Sequence, residues 1–240
     1  MNIQKYTRIA RRVLKLRYTG AVIVAAGNAS RMGGIDKVMA NLGGEPMIVR
    51  TVRAFQECDA IREIVVVTRE DLLVQVMHLC HKFDKLKMVI VGGANRQESV
   101  ENGIRALSSK VKLVAVHDGA RPLVSWQVID RTVRAANTYH AAAPAIAVKD
   151  TIKVVQGGVV SSTPDRSTLR AVQTPQVFDF DLLQGALKQA REDGAVLTDD
   201  CSAVERLGMS VRIVEGDERN IKITTPLDLK IAELFLEEMQ

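Results

Sequence analysis

The chain has 240 residues, 47% of them hydrophobic and 25% charged, which suffices for one α/β domain with a substantial core. No apolar run approaches the roughly 18 residues of a membrane span, and the basic N-terminus lacks the apolar stretch of a secretory signal, so a cytoplasmic protein is expected. The net charge of +5 suggests a nucleic-acid binder only until its distribution is read. Lys5, Arg8, Arg11, Arg12, Lys15 and Arg17 stand in the first 20 residues without an acidic partner, and taking these six from +5 leaves the rest near −1.

Residues 1–19 are therefore read as a basic, flexible extension, with Ile9, Val13 and Leu16 making a weak amphipathic pattern, and 20–240 as a single domain. Cys58, Cys80 and Cys201 are widely spaced and odd in number, which excludes a disulfide framework and suits a reducing compartment. His78-Leu79-Cys80-His81 has no second Cys/His cluster to complete a zinc site and reads as helix surface.

Short β-branched runs alternate with amphipathic, helix-length stretches, as in a doubly wound, mostly parallel α/β sheet. The strand Ala21–Ala25 is followed by a Gly-rich loop, then Pro46 and a helix over 47–57. Next come the strand Ile64–Thr68, a helix through Leu72, Val76 and Leu79, and the strand Met88–Val91 ending in Gly92-Gly93. A helix over 97–107 leads to the strand Leu113–Val116, a helix through Val128, Ile129 and Val133, and the strand Ala143–Val148. Between about 150 and 172 the rhythm breaks: Ile152–Val155 and Val159-Val160 flank Gln156-Gly157-Gly158, the pattern of a protruding β-hairpin arm. Helices near 179–192 and from about Asp199, the strand Val211–Val214 and a helix after Pro226 complete the chain.

Ligands of such sheets bind beyond the carboxyl ends of the strands, which directs attention to the loops after Val24, Val91, Val116 and Val148. The first, Ala25-Ala26-Gly27-Asn28-Ala29-Ser30-Arg31-Met32-Gly33-Gly34-Ile35-Asp36-Lys37, combines small residues that admit a phosphate with two cations. It fits neither the dinucleotide fingerprint, since Ala29 stands two residues after Gly27, nor the Walker loop, since Val38 follows Lys37. After the third strand, Gly92-Gly93 permit close packing, Ser99 offers a hydrogen bond to a base or ribose, and Arg96 either meets a phosphate or pairs with Glu98. Asp118, at the end of the next strand, is placed for Mg²⁺, directly or through water.

Ala25-Ala26-Gly27 followed by Arg31-Met32-Gly33 and Lys37 is similar to the opening signature of sugar-phosphate nucleotidyltransferases. Val116-His117-Asp118-Gly119-Ala120-Arg121-Pro122 resembles the second signature of the 2-C-methyl-D-erythritol 4-phosphate cytidylyltransferases of the non-mevalonate isoprenoid pathway. Lys149–Lys153, Asp165-Arg166, Gln173–Gln176, Leu197–Asp200 and Asn220–Thr224 continue that match in order, so that it covers 20 to about 236. The departures are a loop before Lys37 one residue shorter than in some relatives, Ala94 where some carry an acid, and Gly119 for a common Ala.

The resemblance implies an enzyme that joins CTP to the polyol phosphate and expels pyrophosphate, with Mg²⁺ or another divalent cation as cofactor. It implies Arg31, Lys37 and Lys222 as catalytic cations and Ala25, Ala26, Gly27, Gly93, Arg96, Ser99, Asp118 and Gly119 as nucleotide-binding residues. Arg121, Thr151 and Thr198 would bind the polyol phosphate. The arm would hook onto a second subunit, so that Arg166 completes the active site of a homodimer. A ribitol 5-phosphate cytidylyltransferase resembles the chain over the same length, but Asp165-Arg166 before Thr-Pro-Gln favours the methylerythritol enzyme, and a fused cyclodiphosphate synthase is not expected after Leu236. A non-catalytic RNA-binding protein is disfavoured by 4% aromatics and a near-neutral domain, and a dinucleotide-dependent dehydrogenase by the missing third glycine.

Overall fold

The computed structural model describes residues 16–27 and 37–238, the Lys37 side chain excepted. Most of the basic extension, and Arg31 with it, lies outside the described residues.

Strand β1 (Thr19–Ala25) lies at the centre of an eight-stranded sheet. The 3-10 turn Lys37–Met39 and the short ribbon β2 (Asn41–Leu42) and β3 (Glu45–Pro46) lead into helix α1 (Met47–Glu57). Strand β4 (Glu63–Thr68), helix α2 (Leu73–Cys80), strand β5 (Leu86–Val91), helix α3 (Arg96–Ala106) and strand β6 (Leu113–Asp118) follow in alternation. β4 and β6 flank β1 in parallel, Val22 standing opposite both Val65 and Val116, and β5 extends the sheet beyond β4. β4 and β6 are buried along their whole length and β1 nearly so, because helices cover both faces. On one face Ile23, Val66 and Ala115 meet Val52 and Phe55 of α1, Val76 of α2, and Ile129 and Val133 of helix α4 (Trp126–Tyr139). On the other, Val22, Val65 and Val116 meet Val100 and Ile104 of α3 and Leu183 and Leu187 of helix α5 (Phe180–Glu192). The period of two along each strand thus sorts its side chains between two cores.

Strand β7 spans Ala141–Ala147, starting two residues before the Ala143 expected from the sequence, directly after the left-handed His140 at φ 68°. Its alanines carry no β-branched signal. β8 (Val154–Gln156) and β9 (Val159–Ser162) form the expected hairpin, turned by Gly157 and Gly158 at φ +57° and +81°. Two successive positive φ values define the tight turn that matches strand twist and favour glycine. Both strands are exposed along their whole length.

β10 (Arg170–Val172) and β11 (Gln176–Asp179) are not legible in the sequence, being three and four residues long and separated by Pro175. Both run antiparallel to β7, and β11 also to β6, so they complete the otherwise mostly parallel sheet. After helix α6 (Asp200–Arg206), strand β12 (Arg212–Glu215) pairs in parallel with β7. Ala142 pairs with both Val177 and Arg212, and Ala145 with both Val172 and Glu215. A residue has two edges, so β10 and β11 share one side of β7 and β12 takes the other. Helix α7 (Pro226–Glu238) closes a small third core of Leu42, Met47, Leu123, Ile223 and Ala232.

The sequence boundary between extension and domain moves toward the N-terminus. Arg17 bonds to Asn137 and pairs with Asp179 at 2.6 Å, so it is docked on α4 and β11.

Candidate active site

A cavity of about 420 Å³ opens at the carboxyl ends of β1, β4, β5 and β6. Its walls are Ala25, Ala26 and Gly27 after β1, Thr68, Arg69 and Glu70 after β4, Gly92 to Arg96 after β5, and Asp118 after β6, with Ser99 and Lys222 completing it. The sequence reading does not single out the loop after β4, although a charged run at a strand end is a signal for it. The loop after β7 does not line the cavity.

Asp118 is the electrostatic centre. Its carboxylate faces Lys222 Nζ at 3.0 Å and Arg121 Nε at 3.4 Å, both on Oδ2, and Arg96 Nη2 at 3.8 Å from Oδ1. Burial by itself raises this carboxyl, but Lys222 first, then Arg96 and Arg121, outweigh it and hold Asp118 down at about 2. Lys222 is delivered by backbone pairing: the Ile223 N–H donates to the Ala120 carbonyl at 2.8 Å, laying the segment alongside the β6 loop.

Arg121 does not line the cavity. Its guanidinium is largely buried, donating through Nη1 to the Asn220 carbonyl at 2.7 Å and through Nε to Asp118, so it acts as a strut between the two loops. Among the described residues Arg96 does not pair with Glu98. It forks onto Asp200 at 3.0 and 2.7 Å.

The glycines after β5 make room for the protein itself. A Cβ on Gly92 would lie 2.5 Å from Ala26 Cβ, and one on Gly93 2.2 Å from Glu98 Cβ. Ser99 is committed locally, donating to the Asn95 carbonyl at 2.8 Å and accepting the Gly93 N–H at 3.1 Å. Glu98 accepts the Ala94 N–H at 2.9 Å, so two loop N–H groups are already satisfied by side chains. Gly119 sits beneath this floor, its N–H donating to the Val24 carbonyl.

The Gln173–Gln176 segment, given no role from its sequence, ties the site loops together. Gln173 accepts the Asp217 N–H and donates to the Asp217 carbonyl, fixing the loop that precedes Lys222. The Thr174 hydroxyl accepts the Asp118 N–H at 3.1 Å and bonds to His117 Nδ1 at 2.9 Å. Because Nε2 faces the Arg121 carbonyl at 3.2 Å it must carry the proton, so in the neutral ring Nδ1 accepts from the Thr174 hydroxyl. His117 is thereby a neutral, fully buried strut, and burial pulls it down to about 4. Gln176 accepts the N–H groups of Asp200 and Cys201 and donates to Asp199, which sets the start of α6.

Not every expected residue comes together in one chain. Thr151 and Thr198 are exposed and do not line the cavity, and Arg166, also exposed, donates to the Lys149 carbonyl at 2.6 Å. The Lys37 side chain, like Arg31, lies outside the described residues.

Among the described residues no three His, Cys, Asp or Glu side chains gather as a metal cage. A small hard cation shared with a triphosphate needs only one or two carboxylates from the protein. Asp118 meets that requirement through Oδ1, which has no hydrogen-bond partner among the described residues.

The family model for 2-C-methyl-D-erythritol 4-phosphate cytidylyltransferase matches residues 19–238. A protein of that name from Caldanaerobacter subterraneus subsp. tengcongensis is 46% identical over 221 residues, covering 90% of this chain and 97% of the relative. The crystal structure of 4-diphosphocytidyl-2C-methyl-D-erythritol synthase from Anaerococcus prevotii superposes with a TM-score of 0.84 at 29% identity, covering 92% of this chain and 99% of that one. That of 2-C-methyl-D-erythritol 4-phosphate cytidylyltransferase from Thermus thermophilus gives a TM-score of 0.74 at 32% identity, with 92% and 99% covered.

Proposed function

Because the chain belongs to the 2-C-methyl-D-erythritol 4-phosphate cytidylyltransferase family, we propose that it transfers the cytidylyl group of CTP to 2-C-methyl-D-erythritol 4-phosphate, giving 4-diphosphocytidyl-2-C-methyl-D-erythritol and pyrophosphate. The observation that carries this reading is Asp118 at the strand ends, flanked by Lys222 and Arg96 in a cavity floored by Ala25-Ala26-Gly27.

A phosphate oxygen of the polyol attacks the α-phosphorus of CTP, a P–O bond forms there, and the bond to the β-phosphate oxygen breaks. The nucleophile is already anionic, so no general base is needed, and the task is to bring like charges together. Lys222 supplies a cation at the cavity wall, and the sequence places Arg31 and Lys37 on the loop after β1. Each such charge lowers the barrier by about 3–4 kcal/mol, as an oxyanion donor does. A divalent cation on Asp118 Oδ1 would neutralise triphosphate charge. Arg121, Thr174 and His117 hold Asp118 still.

A second copy of the chain supplies Thr151 and Arg166 in this reading. The arm exposes Val154, Val155, Val159 and Val160 together, an apolar surface suited to burial against a partner, and a homodimer gives it one. No helix among the described residues is long and apolar enough to cross a membrane, and three free cysteines suit a cytoplasmic setting.

Pyrophosphate release is measured with CTP and Mg²⁺, with methylerythritol 4-phosphate and ribitol 5-phosphate offered in parallel. Turnover with the former alone supports the assignment. Preference for ribitol 5-phosphate moves the protein to another polyol, and silence with both from a folded protein that binds CTP refutes the substrate.

A further inference from the structure

The two oxygens of Asp118 are unlike. Oδ2 is occupied by Lys222 at 3.0 Å and Arg121 at 3.4 Å, whereas among the described residues Oδ1 has only the Arg96 guanidinium at 3.8 Å. That distance is too long for a hydrogen bond and lies at the long end of an ion pair. Arg96 stays there because Asp200 holds it in a two-point fork at 3.0 and 2.7 Å.

Asp200 itself is 1% exposed, and among the described residues its carboxylate bonds to Arg96 alone. Gln176 of β11 fixes its backbone by accepting the Asp200 N–H, so the carboxylate is anchored to the sheet. A buried carboxylate placed with this care, whose single partner lines the cavity, is not explained by the reaction described above.

We infer that Asp200 is a positioning residue that withholds Arg96 from Asp118 and so keeps Oδ1 available to a divalent cation shared with the nucleotide. Released from Asp200, the guanidinium needs to advance only about 1 Å to make a charge-assisted bond with Oδ1. With Oδ2 already taken, the advanced guanidinium would compete for Oδ1 and set a positive charge where the cation must bind. The inference rests on the nucleotidyl-transfer reading of the cavity, and it adds a requirement on α6 that this reading does not contain.

The test uses Mn²⁺ as the probe and counts free and bound ion by electron paramagnetic resonance, with protein in excess so that all CTP is enzyme-bound and no polyol phosphate, so no turnover enters. In Asp200→Asn the Mn²⁺ affinity is expected to fall roughly 10–100-fold, the usual cost of losing an outer partner of a ligand. The double variant Arg96→Gln/Asp200→Asn should return to within about threefold of wild type, because the competing guanidinium is gone. A fork that merely staples α6 to α3 makes the opposite prediction, since the double variant breaks it as fully as the single one. The inference is overturned if folded Asp200→Asn binds Mn²⁺ like wild type, or if the double variant binds no better than the single one. Should Asp200→Asn not fold, Arg96→Gln decides: affinity near wild type supports the inference, and a roughly tenfold loss overturns it. Wild-type protein that binds no Mn²⁺ with CTP refutes the nucleotidyl-transfer reading and this inference with it, whereas wild-type binding with indifferent variants refutes the inference alone.

Discussion

Replacing Thr174 by valine removes one hydroxyl at nearly constant volume. That oxygen serves the Asp118 N–H at 3.1 Å and His117 Nδ1 at 2.9 Å, and all three residues are buried. Each polar group left unpaired in a buried place costs about 1–3 kcal/mol, so the pair amounts to about 2–6 kcal/mol before relaxation. For a domain of this size each kcal/mol lowers Tm by about 2–4 °C, which gives a drop of roughly 4–24 °C by calorimetry. Activity should fall as well, since Asp118 loses its backbone tether and a misplacement of about 1 Å costs roughly 100-fold. Thr174→Ser keeps the hydroxyl and should lose only about 1 kcal/mol, for one missing methyl. A Thr174→Val protein that melts within about 1 °C of wild type and keeps its kcat would refute the claim that this hydroxyl ties the site together.

Lys222→Met removes the cation nearest Asp118 and is expected to lower kcat about 100- to 1000-fold in the pyrophosphate assay, while Tm stays near wild type because the lysine head is partly exposed. Gly93→Ala puts a methyl into Glu98, which must move and release the Ala94 N–H, so KM for CTP should rise with a stability loss of about 1–3 kcal/mol, read by titration calorimetry and denaturation. His117 is depressed to about 4 in the fold against about 6.5 unfolded, so its stabilisation is present above 6.5 and is lost as pH falls toward 4. The unfolding free energy of wild type, from urea titrations, should therefore decline over that window by about 3 kcal/mol, and His117→Asn should flatten the decline. Val155→Asp with Val160→Asp on the arm should convert a dimer to monomer in sedimentation while leaving the far-UV spectrum unchanged.

The central sheet was legible because β1, β4 and β6 are almost wholly buried and so are rich in β-branched and other apolar residues, and the hairpin because Gly157-Gly158 meets a backbone requirement. β10 and β11 were not, since three and four residues around a proline carry no period. The strand-end rule located Asp118, Gly93 and Ser99 at the cavity, but it also pointed to the loop after β7, where the chain leaves for the exposed arm. Asp200 is silent in the sequence because an Asp after Thr198-Asp199 reads as an ordinary helix start, and only the fold brings α6 against α3.

Local chemistry in the sequence by itself determined the alternation of strand and helix, the Gly-rich first loop, the acid at the end of β6 and the turn of the arm. Each of these depends on a residue and its near neighbours. Tertiary structure alone decided what the cations do: Arg121 became a buried strut, Arg96 the captive of Asp200, and Lys222 the partner of Asp118. The physical reason is range. A hydrophobic period or a glycine at positive φ is settled within a few residues, whereas an ion pair between positions 96 and 200 exists only after the sheet has brought their loops to one edge.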